Sequence, residues 1–120
     1  MRRLCALVLT GALLWAPTAR AQDHVTYESV TVATTAIGIT AAIRTPAGRP
    51  PQTACQMRLE TAQVRFRWDG ADPTATEGQI LDVGDILTVR GAAFMAAFRA
   101  IRTGAVSGVL KIHCYPDRNN

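Results

Sequence analysis

The stretch 62–68 carries the most regular alternation of apolar and charged side chains in the chain. Val64, Phe66 and Trp68 have one parity, and Arg65 and Arg67 have the other. This period of two is typical of a strand with one buried and one solvated face, so the pattern predicts a scaffold strand with Trp68 in the core. An Asp-Gly pair at 69–70 and a proline at position 73 predict a rigid turn that ends the strand.

Similar patterns elsewhere predict further short strands. The β-branched stretch 22–35 favours an edge strand, and the alternation over 36–44 favours a second strand. A helical turn is expected near 92–96. The remaining predicted strands lie at 55–59, 79–83, 85–89, 98–102 and 110–114. With about seven short strands separated by turn residues, the chain is predicted to be all-β, an immunoglobulin-like antiparallel β-sandwich.

Two of these strands have a predicted register. Cys55, Met57 and Leu59 share one parity. In an antiparallel pair of strands, the residue numbers of each opposed pair add up to the same value. Pairing these three residues with Cys114, Ile112 and Leu110, respectively, meets this condition. The parity flips before Val64, so a β-bulge or a strand break is expected near Glu60 or Thr61. A disulfide between the two cysteines fits this register, and a disulfide that crosses between sheets fits the sequence equally well.

Residues 1–21 have the composition of a secretory signal peptide. Arginines at positions 2 and 3 precede an apolar run over 4–15, and Ala19-Arg20-Ala21 provides a small-x-small cleavage site. We therefore expect a signal-peptide helix, followed by one domain over 22–120 that is exported to the periplasm or the cell exterior. The apolar run is shorter than the roughly 20 residues that span a bilayer, so we expect no membrane segment after cleavage.

Cleavage at this site changes both the charge and the cysteine count. It removes Arg2, Arg3 and Arg20 from the 13 basic residues and leaves 10 basic against 9 acidic ones. A nearly neutral chain without a basic cluster gives no reason to expect nucleic-acid binding. Cys5 is removed as well. The remaining pair, Cys55 and Cys114, is expected to form a disulfide because exported proteins meet an oxidising environment.

Several short motifs occur here in an order that is familiar from known families. They are Arg-Phe-Arg-Trp-Asp-Gly at 65–70, Pro-Thr at 73–74, Gly78, Gly-Asp at 84–85, Phe-Arg-Ala-Ile-Arg at 98–102, Ser-Gly at 107–108 and Tyr115. Over 25–115 the chain resembles small proteins of tailed phages and prophages. Over 64–115 it more loosely resembles the immunoglobulin-like C-terminal modules of chitobiase and other hexosaminidase-type glycoside hydrolases. Both resemblances imply a non-catalytic β-sandwich used for attachment or display, and neither set of motifs names a ligand. A glycan, a cell-surface protein or a virion protein is a candidate partner.

Charged residues beside the central strand indicate a candidate binding surface. Arg65, Arg67 and Asp69 share its outward face, and Arg99 and Arg102 lie on another predicted strand. If the two strands are neighbours, these residues could form a patch for an acidic or glycan ligand. A solvated face that protects the sheet against edge pairing is the competing interpretation.

The sequence offers few residues for catalysis or metal binding. It has no Gly-x-Ser-x-Gly motif, and adjacent His113 and Cys114 would point to opposite faces of a strand, so no enzymatic activity and no cofactor are expected. Cleavage after Ala21 would leave Gln22, Asp23 and His24 at the N-terminus, where the amine, two amides and the imidazole form a square-planar set for Cu(II) or Ni(II). A histidine placed there by chance, or a cyclised glutamine, is the competing interpretation.

These patterns predict an exported, non-enzymatic β-sandwich with a binding or structural role, attached to a surface or to carbohydrate. The alternatives are a phage-derived virion decoration protein and an N-terminal Cu(II)- or Ni(II)-binding protein. An assembly role would predict homo-oligomers formed through an exposed edge strand at 25–34.

Overall fold

The computed structural model describes residues 24–117, which form seven strands and two short helices. In chain order the elements are β1 (Thr26–Val32), α1 (Ala41–Arg44), β2 (Ala54–Glu60), β3 (Val64–Arg67), β4 (Gln79–Leu81), β5 (Ile86–Arg90), α2 (Ala92–Ala97), β6 (Arg99–Arg102) and β7 (Gly108–Tyr115). The strands form a four-stranded sheet in the order β1-β7-β2-β5 and a three-stranded sheet in the order β4-β3-β6. All pairings within these sheets are antiparallel, so the predicted β-sandwich is confirmed.

The strand order keeps part of the immunoglobulin arrangement. β2 pairs with β5, and β3 pairs with β6, as the corresponding strands do in an immunoglobulin constant domain. The seventh strand is placed differently, because β7 lies between β1 and β2 in the four-stranded sheet and not beside the sixth strand. β7 therefore pairs with both β1 and β2 and lies between them in the sheet.

The predicted register between β2 and β7 is confirmed. Cys55 lies opposite Cys114, Met57 opposite Ile112 and Leu59 opposite Leu110. A disulfide joins Cys55 to Cys114, whose Cα atoms are 4.0 Å apart. It therefore links neighbouring strands of one sheet and does not cross between the sheets. Both cysteines are fully buried.

The chain passes from one sheet to the other at Thr61. β2 ends at Glu60 in the four-stranded sheet, and β3 begins at Val64 in the three-stranded sheet. Thr61 has a φ of 82°, and the Ala62 N–H donates to the Glu60 carbonyl oxygen over 3.1 Å. This three-residue turn separates two strands of opposite parity, so the predicted strand break is confirmed.

The core lies between the two sheets. The four-stranded sheet contributes Val30, Val32, Cys55, Met57, Leu59, Val89, Leu110, Ile112 and Cys114, and the three-stranded sheet contributes Val64, Phe66, Leu81 and Ala100. Phe98, between α2 and β6, stacks on Phe66 with the ring centroids 5.9 Å apart. Because Phe98 directly follows α2, this contact brings the C-terminal end of α2 close to β3, near the clefts described below.

The segment 36–44 does not form the predicted second strand. Ile37 makes an isolated bridge to β6, and the chain then turns into α1. Ile39 and Ile43 are both buried, and a separation of four residues suits a helical turn as well as an alternating strand. Packing on β1 favours the helical turn, because the Thr26 hydroxyl donates to the Ile43 carbonyl oxygen over 2.7 Å.

The other predicted elements are confirmed. β1 is an edge strand, and the helical turn expected near 92–96 is α2, followed by β6. The predicted signal peptide over 1–21 lies outside the described residues. Within 24–117, no helix is long and apolar enough to cross a membrane.

Candidate binding clefts around Trp68

Trp68 directly follows β3, at the end of the sandwich where β6 begins. Its ring lies 5.3 Å from that of Phe66, measured between centroids, with an interplanar angle of 54°. The side chain packs against the core and is only partly buried. The prediction of a core position is therefore wrong for part of the ring, because the chain turns away at Asp69 and leaves one side of Trp68 lining two clefts.

The first cleft, here called the apolar cleft, has a volume of about 220 Å³. It is lined by Trp68, by Thr88, Val89 and Arg90 of β5, and by Phe94 of α2. β5 is an edge strand, and Phe94 is 55% exposed. The Arg90 guanidinium at the rim pairs with the Asp117 carboxylate at 3.2 Å. The cleft therefore offers two accessible aromatic rings and a largely neutralised rim.

The second cleft, the polar cleft, has a volume of about 310 Å³. It is lined by Phe66, Arg67, Trp68, Asp69, Glu77, Gly78 and Gln79. Its polar side chains provide two carboxylates, one guanidinium and one amide, so hydrogen-bond donors and acceptors stand beside the same tryptophan.

Asp69 in the polar cleft is held in its ionised form. Arg67 Nε donates to Asp69 Oδ1 over 3.0 Å, and Arg67 Nη2 donates to the other carboxylate oxygen. This hydrogen bond is the main cause that lowers the pKa of Asp69 from 3.8 to about 2, with a smaller contribution from the Ala71 N–H. The same partner raises the pKa of Arg67. Asp69 is therefore a constant acceptor at neutral pH.

The loop 69–78 that carries Glu77 is braced by the outward arginines. Arg65 donates from Nε to the Ala75 carbonyl oxygen over 3.0 Å and from Nη1 to the Gly78 carbonyl oxygen over 2.7 Å. The Thr74 hydroxyl accepts the N–H of Glu77 over 2.9 Å. These bonds keep the Glu77 side of the cleft in place without help from a ligand.

Four of the five residues predicted as a binding patch come together. β3 and β6 are neighbours, Arg67 lies opposite Arg99, and Arg65 lies opposite Ile101. Arg102 does not share this face, because it pairs with the inward residue Val64. An antiparallel pair points to the same side of its sheet, so the assignment of Arg102 to the patch is corrected.

The patch is also less charged than its sequence suggests. Arg67 is paired with Asp69, Arg99 lies 3.5 Å from the Asp72 carboxylate, and Arg65 is engaged by loop carbonyls. These arginines hold the β3–β4 loop in place, so the patch has little uncompensated positive charge with which to bind an acidic ligand.

Part of the predicted metal motif lies outside the described residues. Gln22 and Asp23 precede the described range, and His24 is its first residue. Among residues 24–117, no group of three or more histidine, cysteine, aspartate or glutamate side chains could hold a metal ion.

Phe94, Glu77 and Gln79 were not among the residues expected to bind a ligand. Phe94 precedes Phe98 by four residues, a spacing that suits one buried helix face, yet Phe94 is exposed and Phe98 is buried. α2 ends at Ala97, and Phe98 follows it with extended backbone angles, so the two side chains do not share one helix face. Comparison with known proteins gives no further assignment: no protein-family model matches this chain, and no curated protein matches it in sequence.

Proposed function

We propose that this protein is a non-catalytic binding module and that the two clefts around Trp68 hold a carbohydrate. The observation that carries the proposal is a partly exposed tryptophan shared by an apolar cleft and a polar cleft. Ligand sites typically combine such apolar walls with a few fixed polar groups.

The two clefts match the chemistry of a sugar ring. A pyranose has an apolar C–H face and a rim of hydroxyl groups, so one side packs on an aromatic ring while the other needs donors and acceptors. Trp68 and Phe94 provide the aromatic surfaces. Asp69, Glu77 and Gln79 provide acceptors and an amide at the other side.

The charges favour neutral or amino sugars over acidic ones. The polar cleft has two carboxylates, on Asp69 and Glu77, and one guanidinium, on Arg67. Its net charge is negative when both carboxyls are ionised, and an anionic sugar would be repelled.

Binding is better supported than hydrolysis. A glycosidase needs a carboxylic acid that stays protonated near its working pH and donates to the leaving group. Asp69 has the opposite property, because Arg67 lowers its pKa to about 2. The predicted signal peptide and the buried disulfide fit a protein that works outside the cytoplasm.

Trp68 provides the test. It is the only tryptophan of the predicted mature chain, since Trp15 lies in the predicted signal peptide. Adding neutral oligosaccharides, such as chito- and cello-oligosaccharides, should change its fluorescence in a saturable way. Calorimetry should show affinity at least about tenfold weaker in Trp68→Ala and in Glu77→Gln, a loss of about 1.4 kcal/mol.

Tyr27 is the matched control for the aromatic change. It is 52% exposed and lies on β1 of the four-stranded sheet, so Tyr27→Ala should leave binding unchanged. Because Glu77 is exposed, Glu77→Gln should fold normally and separates a lost contact from a damaged core. Unchanged affinity in both Trp68→Ala and Glu77→Gln would reject the cleft as the site.

A display or decoration role is the second candidate. The observation that favours it is the edge position of β1, where Val25 and Tyr27 are each 52% exposed. Self-association through this edge is the test of that role. Binding of Cu(II) or Ni(II) by Gln22, Asp23 and His24 stays a prediction that titration of a His24→Ala variant can examine.

A further inference from the structure

Arg58 occupies the centre of the outer face of the four-stranded sheet. It lies opposite Lys111 of β7 on one side and opposite Ile86 of β5 on the other. Directly opposed residues on antiparallel strands have Cβ atoms about 5 Å apart, and like charges in that position destabilise the sheet. An anion between the two side chains would remove this repulsion.

The positive charge at this position is only partly compensated. Within residues 24–117, the Arg58 guanidinium has no hydrogen-bond or ion-pair partner, and only the backbone of this residue is paired, within the sheet. Lys111 Nζ donates to the Ser29 hydroxyl over 3.0 Å and lies 4.0 Å from a Glu60 carboxylate oxygen. Glu60 therefore balances one of the two cations and leaves the other.

A depression of about 260 Å³ lies beside these two cations. It is lined by Gln56, Met57, Arg58, Ile86, Lys111 and His113. Each of its polar side chains can donate an N–H, and none of these lining residues is acidic. The Tyr27 ring lies 4.9 Å from the His113 ring, measured between centroids, and flanks the depression on the β1 side.

We propose that this depression binds an oxyanion, a sulfate or phosphate group, between the Arg58 guanidinium and the Lys111 ammonium. The planar guanidinium can donate two parallel hydrogen bonds to two oxygens of one anion, and the ammonium adds a point charge. Gln56 and His113 are further donors along the same two strands. The depression shares no lining residue with the clefts around Trp68, so the inference does not depend on the proposed function.

Amide chemical shifts measured by NMR test the site directly. Sodium phosphate and sodium sulfate are titrated into the disulfide-bonded mature protein, with sodium chloride adjusted to hold the ionic strength constant. We expect saturable shifts at the amides of Arg58, Lys111 and His113. Arg58→Gln and Lys111→Gln should each weaken binding about tenfold, because each removes a charge-assisted hydrogen bond.

Arg49→Gln is the matched control. Arg49 is exposed in the loop between α1 and β2, and its guanidinium, like that of Arg58, has no partner among the described residues. The variant removes the same charge away from the sheet face and should bind as the wild type does. Equal loss of binding in Arg49→Gln and Arg58→Gln, or linear shifts without saturation in the wild type, would overturn the proposal.

Thermal unfolding provides a second readout that a purely structural role would not produce. In chloride alone, Arg58→Gln should be at least as stable as the wild type, because the opposed charges are gone. Phosphate should raise the Tm of the wild type by mass action, in addition to its general stabilising effect, and should raise the Tm of Arg58→Gln by less. A loss of stability in chloride, together with an undiminished response to phosphate, would contradict the assignment.

The source of the anionic group is decided by a third measurement. Dextran sulfate and uncharged dextran are compared at a salt concentration where inorganic sulfate no longer binds. Retention of dextran sulfate by the wild type and not by Arg58→Gln assigns the group to a sulfated polymer. No retention of dextran sulfate at that salt concentration, together with binding of the free ion at lower salt, assigns the site to the free ion.

Discussion

The Asp69 carboxylate should keep its charge far below the usual titration range of an aspartate. Arg67 lowers its pKa from 3.8 to about 2, so the native state favours the ionised form. The contribution of the pair to stability is therefore fully present above pH 3.8 and is lost as the pH falls through about 2. Carbon-13 NMR of the carboxyl group should show a midpoint near the lower value in the wild type.

Arg67→Gln should return this midpoint towards 3.8, because the hydrogen bond from Arg67 is the largest cause of the shift. Arg65→Gln is the control, since Arg65 is bonded to the carbonyl oxygens of Ala75 and Gly78 and not to Asp69. A wild-type midpoint near the unperturbed value would show that the pair does not persist in solution.

Single residues also show where sequence patterns stop being informative. The parity of Trp68 correctly indicated which face it shares with Val64 and Phe66. Parity does not reveal that β3 ends at Arg67, and a side chain beyond the last paired residue has no neighbouring strand to cover it. Arg102 shows the complementary error, because its position opposite Val64 depends on the pairing of two strands and not on its own segment.

Among the strand edges, β1 is the one best suited to pair with a second copy of the chain. It has seven residues, of which only Glu28 is charged. The other edges are shorter: β5 has five residues with one arginine, β4 has three residues, and β6 has four residues with two arginines. Long, uncharged edges offer their backbone groups for pairing. We expect a concentration-dependent increase in mass in sedimentation velocity experiments.

A lysine at the β1 edge should suppress this association, as charged residues do on natural edge strands. Thr31→Lys places it on the outward face of β1, opposite Val109, and Thr88→Lys places the same charge on β5, the other edge of the same sheet. Association that survives Thr31→Lys and disappears in Thr88→Lys would move the interface to β5. A mass that stays monomeric over the whole concentration range would remove the support for an assembly role.

Whole elements followed from the sequence where one physical requirement dominated. The β2–β7 register could be predicted because the apolar residues of the two strands can be paired one to one in an antiparallel arrangement, and both apolar faces must be buried on the same side of the sheet. The prediction of a strand over 36–44 was wrong because the four-residue spacing of Ile39 and Ile43 fits both a helix and a strand. Contacts with β1 favour the helical turn. The clefts could not be derived at all, since they depend on how β5 and α2 approach the end of β3.

At the scale of the whole molecule, the buried disulfide connects stability with the predicted export. Cys55 and Cys114 are 59 residues apart in sequence and fully buried. A closed loop of that length contributes roughly 4 kcal/mol in the chain-entropy model. Since the sulfur atoms are buried, a reductant should reach them only when β2 and β7 separate. The native protein should therefore resist reduction and alkylation until it is denatured.

Intact mass spectrometry of protein recovered from a bacterial periplasm tests both parts of this connection. We expect a species that begins at Gln22 and gains two alkyl groups only after denaturation and reduction. Ala21→Asp is the control, because a charged residue at the cleavage position blocks the signal peptidase and should leave the precursor intact. A full-length chain from the wild type whose cysteines alkylate without reduction would contradict export and disulfide formation together, and would favour a role inside the cell.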